Sequence, residues 1–291
     1  MKKNVFALAV AAVMAASLTA CGGSSAQETT GASAEAETTE AAAEKTEAEA
    51  AGDEEETEAE AAASEIKTAQ EGKLIMVTNA EFPPYEYHDG GEIVGIDAEI
   101  AQAIADELGL ELEIEDIAFD SIIPELTSGK ADFAMAGMTV DETRAKSVDF
   151  SNTYAKASQK IIVTEDSEIA GPDDLKGKIV GVQQGTTGDI YVTDLEADGT
   201  TTERFNKGFE AVQALSQGKI DAVVIDEQPA QVFVEQTEGL KVLDEAFTEE
   251  EYAAAVNKGN TALLDAINGA LADLEESGKL DEIVAKYITA E

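Results

Sequence analysis

From Gly22 to Glu71 the chain carries no aromatic residue and one large aliphatic residue, Ile66, among little but Ala, Glu, Thr, Ser and Gly. A segment of that composition cannot bury enough apolar area to offset the entropy of ordering it. It reads as a disordered, self-repelling acidic tether that contributes nothing to a core. Folded structure has to come from Lys73 onward, about 220 residues, which is enough for two compact lobes with separate cores. The formal net charge is −42, from 61 acidic against 19 basic residues. Such a surface argues against nucleic acid as a partner and fits an exported, soluble monomer.

Ahead of the tether, Lys2-Lys3 precede an apolar run from Val5 to Val13, too short to span a bilayer, and Leu18-Thr19-Ala20-Cys21 ends it. Residues 1–20 read as a signal peptide, and the small residues before the cysteine resemble a lipobox. Cys21 is the only cysteine and has no disulfide partner in the chain, so it is the candidate lipidation site and membrane anchor. Residues 21–71 are then the lipidated cysteine and its tether.

Past the tether the hydrophobic pattern alternates between strand and helix. Leu74-Ile75-Met76-Val77-Thr78 is a continuous apolar run of the kind buried on both faces. Ile96, Ile100, Ile104 and Leu108 then recur at four-residue spacing, one stripe of a helix. The series continues with strands near Leu112-Glu113-Ile114, Asp132 to Met135 and Lys160 to Thr164, and a helix from Ser121 to Ser128. A second series starts at Lys178-Ile179-Val180-Gly181-Val182, with helices near Ile190–Leu195 and Phe209–Gln217 and strands near Arg204-Phe205 and Asp221–Ile225. Two amphipathic helices, Thr261–Glu276 and Leu280–Ile288, close the chain. Two α/β series predict two doubly wound lobes.

Gly137-Met138-Thr139-Val140-Asp141-Glu142-Thr143-Arg144 holds one of only two arginines in the chain, just after a short apolar strand. Backbone N–H groups, a hydroxyl and a guanidinium fork together suit a planar carboxylate. The same residues also suit a helix cap at Thr139 with Arg144 as a solvated partner of Asp141 or Glu142, and the segment alone leaves both readings open. Three further segments follow apolar strands: Thr78 to Tyr87 with its FPPYEY motif, Gly181 to Gly188, and Asp226-Glu227. Open α/β sheets bind ligands at such carboxyl ends. Singly, Phe82 reads equally as core, the glycines around Thr186 as a tight turn and Asp226 as a helix cap.

Taken in order with Gly95-Ile96-Asp97-Ala98-Glu99-Ile100, Phe119-Asp120-Ser121-Ile122-Ile123-Pro124 and Val148-Asp149-Phe150-Ser151-Asn152-Thr153-Tyr154, these segments resemble the family 3 solute-binding proteins of amino-acid ABC transporters. The resemblance runs from Lys73 to Tyr287. It implies the type II periplasmic binding protein fold: two α/β lobes joined by two crossover strands, closing on one amino acid for delivery to a membrane permease. It places lobe 1 at residues 72–157 plus 246–291 and lobe 2 at 158–245. Carried over by motif, Arg144 and Thr139 would hold the ligand α-carboxylate, with Thr187 and its neighbours Thr186 and the adjoining amides helping from lobe 2. Asp226 and the Gly137 carbonyl would take the α-ammonium, and Met138 belongs to the same lining. Phe82 and Phe119 would sandwich the side chain, and Asn79, Glu81 and Gln183 would line the place of its polar end.

The Gly181–Gly188 segment resembles that of members binding basic amino acids, but Asn79 stands where those often carry an aspartate. Glu81 and Asp97 are the acids that would compensate. Arginine or lysine therefore stands ahead of glutamine or cystine. Some relatives on this fold are dehydratases, but the only histidine, His88, sits in the hydrophilic turn Tyr87-His88-Asp89-Gly90-Gly91, so no Ser/His/Asp or Cys/His arrangement can form. A binding protein rather than an enzyme is expected, either feeding a permease or signalling through a receptor. No cofactor is implied, and no calcium-loop spacing appears.

Overall fold

The computed structural model describes residues 66–288; the segment read as a signal peptide, Cys21 and most of the segment read as a tether lie outside them. Strand β1 (Lys73–Thr78) is buried along nearly its whole length, as its unbroken apolar run requires. A small antiparallel sheet follows, made of β2 (Glu81–Phe82), β3 (Glu86–Asp89) and β4 (Glu92–Val94). Helix α1 (Ile96–Glu107) turns its Ile96, Ile100 and Ile104 stripe to the core, and β5 (Glu111–Asp116) returns parallel to β1. Helix α2 (Ile122–Thr127) leads to the two-residue β6 (Phe133–Ala134) on the other side of β1.

The long strand β7 (Val148–Thr164) carries the chain into a second array. There β8 (Ile179–Gln183), α3 (Thr187–Asp194), β9 (Thr201–Phe205), α4 (Gly208–Ser216) and β10 (Ala222–Asp226) repeat the first topology. In both arrays the third strand pairs with the first, on the side opposite the second, giving spatial orders β5-β1-β6 and β9-β8-β10. Helix α5 (Glu227–Glu235) and β11 (Leu240–Val242) complete this lobe, and β12 (Thr248–Asn257) runs back antiparallel to β7 before α6 (Thr261–Glu276) and α7 (Lys279–Tyr287). The whole forms one nine-stranded mixed sheet, β5-β1-β6-β12-β7-β10-β8-β9 with β11 also on β7, plus the three-stranded sheet. Seven α-helices cover it among the described residues. The fold is thus two doubly wound α/β lobes joined by two crossing strands.

Several elements differ from expectation for physical reasons. The DFSNTY segment, given no element from sequence, lies in the first half of β7, which pairs with β12. Strand β12, Thr-Glu-Glu-Glu-Tyr-Ala-Ala-Ala-Val-Asn, is rich in good helix formers, yet ladders to β7 and β6 on both edges hold it extended. Before β1, Ile66 packs against the main core and the Ala69 amide donates to Asp132 Oδ1 at 2.6 Å, so the chain is already held to the body there.

The entry to α1 depends on Gly95, at φ 131°. A Cβ there would stand 2.2 Å from the Tyr85 carbonyl oxygen, while the Ile96 and Asp97 amides bond the Pro84 and Tyr85 carbonyls at 3.1 and 2.9 Å. Gly95→Ala is expected to destabilise the protein by about 2–4 kcal/mol, through strain and loss of these bonds. Chemical denaturation checks this, and a midpoint within error of the wild type would contradict it.

Candidate functional site

Both topological switch points, beside β1 and β6 in one lobe and β8 and β10 in the other, face a narrow cavity between the lobes, with room for roughly one water molecule (about 20 Å³). Ten of the twelve residues singled out from sequence line it. Asn79 follows β1, Phe119 follows β5, and Gly137, Thr139 and Arg144 follow β6. Gln183 ends β8, Thr186 and Thr187 open α3, Asp226 ends β10, and Phe82 lies on β2.

Arg144 is buried, and the reading of it as a solvated partner of nearby acids does not hold. Asp141 serves instead as the local cap, its Oδ1 accepting from the amides of Thr143 at 2.7 Å and Arg144 at 3.0 Å. The guanidinium donates to the carbonyls of Thr139 at 2.9 Å and, across the cleft, Gly185 at 3.1 Å, and lies 5.4 Å from the Phe119 ring centroid. Two of its five N–H donors are thereby engaged, leaving three for a carboxylate. Burial draws its pKa below the ordinary value, while Asp141, Glu250 and Asp226 push it back up.

Asp226 stands against the same cavity. Its Oδ2 accepts from Gln159 Nε2 at 2.6 Å and its Oδ1 from the Tyr252 hydroxyl. Burial pushes its pKa up to about 8, against the opposing pull of those donors. Gly137, at φ 51°, lets the backbone pass so close to Phe82 that a Cβ would lie 2.7 Å from the ring. Its amide donates to Asp97 Oδ2 at 2.8 Å, which also accepts from the Tyr154 hydroxyl at 2.8 Å. Asp97 is therefore a buried brace behind the site loop, with a pKa raised by burial to about 6.

Thr139 and Thr187 direct their hydroxyl protons to Glu250 Oε2, at 2.9 and 3.1 Å. A carboxylate beside them is left to Arg144 and to the unpaired amides of the first turn of α3, capped by Thr186. Gln183 Nε2 donates to Asn79 Oδ1 at 2.8 Å, joining the lobes, and Asn79 Nδ2 donates to the Ile117 carbonyl at 2.8 Å.

Two of the twelve residues stand elsewhere. Met138 is fully buried among Ile75, Val77 and Val148 beneath the site loop, because β-type alternation after β6 turns it away from its neighbours Gly137 and Thr139. Glu81 pairs with Lys207 across the cleft outside the cavity.

Sequence reasoning missed Glu86, which lines the cavity from β3. It is fully buried, no cation, amide or hydroxyl of the described residues donates to it, its side chain lies against the Asp97 carboxyl, and burial, then Asp97, raises its pKa well above the usual carboxylate range. An acid set between Tyr85 and Tyr87 directly after Pro83-Pro84 was the available signal.

Among the described residues no helix is long and apolar enough to cross a membrane, and no acidic, His or Cys cluster could hold a metal ion.

A family model described as bacterial extracellular solute-binding proteins, family 3, matches residues 74–290. An arginine-binding extracellular protein of Bacillus subtilis is 36% identical over 222 residues, covering 75% of this chain and 87% of that one. An L-cystine-binding protein of Escherichia coli is 31% identical over 229 residues, 77% of this chain and 86% of the relative. Among solved structures, an ancestral arginine-binding protein bound to arginine superposes with a TM-score of 0.72 at 42% identity, over 75% of this chain and 98% of that one. On fold, motif order and these matches together, the chain belongs to the bacterial extracellular solute-binding proteins of family 3.

Proposed function

We propose that the chain captures a single L-amino acid with a cationic side chain, arginine first, between its lobes and delivers it to the permease of an ABC importer. The α-carboxylate goes to Arg144 and the α3 amides, the α-ammonium to Asp226 and the Gly137 carbonyl, and the guanidinium to Glu86. The lobes comprise residues 72–157 plus 246–291 and residues 158–245. In support of that division, β7 pairs with β12 as far as Gln159 and with β10 from Gln159 onward. No turnover is required, because the ligand acts by favouring the closed arrangement through its differential affinity.

The observation that carries the arginine reading is the buried Glu86 in the cavity wall, which lies beside the carboxyl of Asp97 and is reached by no cation or amide of the described residues. Arg144, Asp226 and Glu86, when ionised, sum to one negative charge, and arginine brings one net positive charge arranged as anion, cation and cation. A buried carboxyl meeting a guanidinium regains the stabilisation that desolvation removes. The cavity is smaller than an amino acid, so entry requires the lobes to part and close again. A glutamine reading is favoured by the Asn79–Gln183 amide pair, which suits a neutral polar end. There Glu86 stays protonated and donates to it.

Lipidation at Cys21, the tether and attachment to the cell membrane form part of the same reading, supported by the lipobox-like Leu18–Cys21 segment. The protein then acts as a tethered monomer outside the cytoplasm.

Calorimetric titration of refolded, ligand-stripped protein with the twenty common amino acids, ornithine and cystine tests the function. Arginine is expected to bind, and silence from every ligand overturns the proposal. Arg144→Ala should cost about 2–5 kcal/mol for every amino acid, whereas Glu86→Gln should cost about that much for arginine and little for glutamine. Arginine affinity should also rise with pH. Asp226 titrates near 8 in the closed site, so below that value a proton must leave before the ammonium is held. The gain is at most about tenfold per pH unit for this group, and it levels off above pH 8. A flat profile between pH 6 and 8 would remove Asp226 from the ammonium site. Finally, Cys21→Ser should move the protein from the membrane fraction to the soluble fraction, and retention at the membrane would count against the anchor.

A further inference from the structure

Glu250 lies on β12 opposite Ala157 of β7, where the two crossing strands pass between the lobes. It is only 8% exposed. Its Oε2 accepts three hydrogen bonds of different origin. One comes from Thr139 Oγ1 of lobe 1 at 2.9 Å, one from Thr187 Oγ1 of lobe 2 at 3.1 Å, and one from Gln159 Nε2 of β7 at 3.1 Å. Its Oε1 accepts from none of these three, and the Tyr191 hydroxyl of α3, also in lobe 2, stands beside the carboxyl. The Gln159 amide also reaches Asp226, which ties this cluster to the expected ammonium site.

A carboxylate withdrawn from water is costly unless donors converge on it. Here they converge only while both lobes lie against the crossing strands. Rotating lobe 2 away removes Thr187, and rotating lobe 1 away removes Thr139, each leaving water to replace a bond made inside the protein. The solvation of one side chain on the hinge is therefore linked to the distance between the lobes. Of the other cross-cleft contacts, Arg144 with the Gly185 carbonyl and Gln183 with Asn79 lie in the cavity where the ligand enters, while Glu81 with Lys207 and Gln184 with Asp120 join groups at the exposed rim, where water and salt weaken them.

We propose that Glu250 is a positioning residue that clasps the two lobes through Thr139 and Thr187 and so sets the balance between open and closed forms. The inference rests on the two-lobe capture reading but not on which amino acid is captured. A clasp acts on closure, not on one end of the ligand. Weakening it divides the apparent affinity for every ligand by the same factor, the change in the fraction of closure-competent protein.

The test uses the full chain with Cys21→Ser and spin labels at Ala118→Cys and Glu210→Cys, exposed positions near the Asp120–Gln184 and Glu81–Lys207 contacts. With no ligand added, Glu250→Ala should shift the distance distribution to longer values. Glu250→Gln, whose amide oxygen still accepts from both hydroxyls, should stay near the wild type. Affinities for arginine and for agmatine, which lacks the α-carboxylate, should fall together in Glu250→Ala, by roughly tenfold. Should Glu250→Ala fail to fold, Thr187→Val, which removes the lobe 2 hydroxyl that donates to Glu250 and accepts from Gln159 Nε2, must lengthen the distance in the same sense. An unchanged distance distribution overturns the proposal, and so does a loss confined to arginine, which would mean direct contact with the carboxylate end. Failure of the wild type to bind either ligand, with the distances still responding, would refute the arginine assignment and leave the clasp standing.

Discussion

The pairing of β7 with β12 is the constraint on which the rest of this protein depends. Both strands are shared by the two lobes, so each lobe completes its sheet only by borrowing from a ladder that also belongs to the other. Their register, from Val148 opposite Asn257 to Gln159 opposite Thr248, fixes where each lobe begins to rotate and which side chains stand between them. Two register shifts, around Tyr252 and Ala253, interrupt the ladder. Such irregularities bend a strand and re-aim its side chains. They fall where Tyr252 and Glu250 turn toward the cavity and its polar network.

Electrostatically the cleft is arranged around scarcity. One buried guanidinium faces Asp226, Glu86 and Glu250, with Asp97 behind the site loop. The carboxyls are not equivalent. Asp97 and Asp226 are held by donors from Gly137, Tyr154, Tyr252 and Gln159, whereas Glu86 meets only the carboxyl of Asp97. Asp97, outside the cavity with both donors on its Oδ2, braces the site loop, while Asp226 and Glu86 stand on the cavity wall, where a cation brought from outside would offset the cost of their burial. That difference, rather than the number of acids, separates the roles. The large acidic surplus elsewhere in the chain has no bearing on it.

Much of the architecture was legible in the sequence because its helices and inner strands obey simple periodicities. The Ile96–Ile104 stripe and the Thr261–Glu276 helix stand where the spacing of their apolar residues puts them. The candidate site was legible because four strand-end segments carried polar and glycine residues in a recognisable order. What escaped was non-local. Nothing within Thr248–Asn257 announces a strand, since alanines and glutamates favour helix until β6 and β7 are placed beside them. Glu86 carried only the weak signal of its flanking tyrosines, because its place beside Asp97 of α1 and in the cavity wall with Gly137 is non-local. Met138 and Glu81 were drawn in by proximity to true lining residues; one residue along a strand reverses the direction of a side chain.

The attachment of the chain ahead of β1 has a mechanical corollary. Ile66 rests on the core, and the Ala69 amide is bound to Asp132, whose other oxygen accepts from the Ile75 amide inside β1. A pull arriving from the N-terminal side is thus delivered to the central strand of lobe 1 and never crosses the hinge. In the two-lobe capture proposed above, lobe 1 would then be the stator, and lobe 2 would swing without dragging on the leading end of the chain.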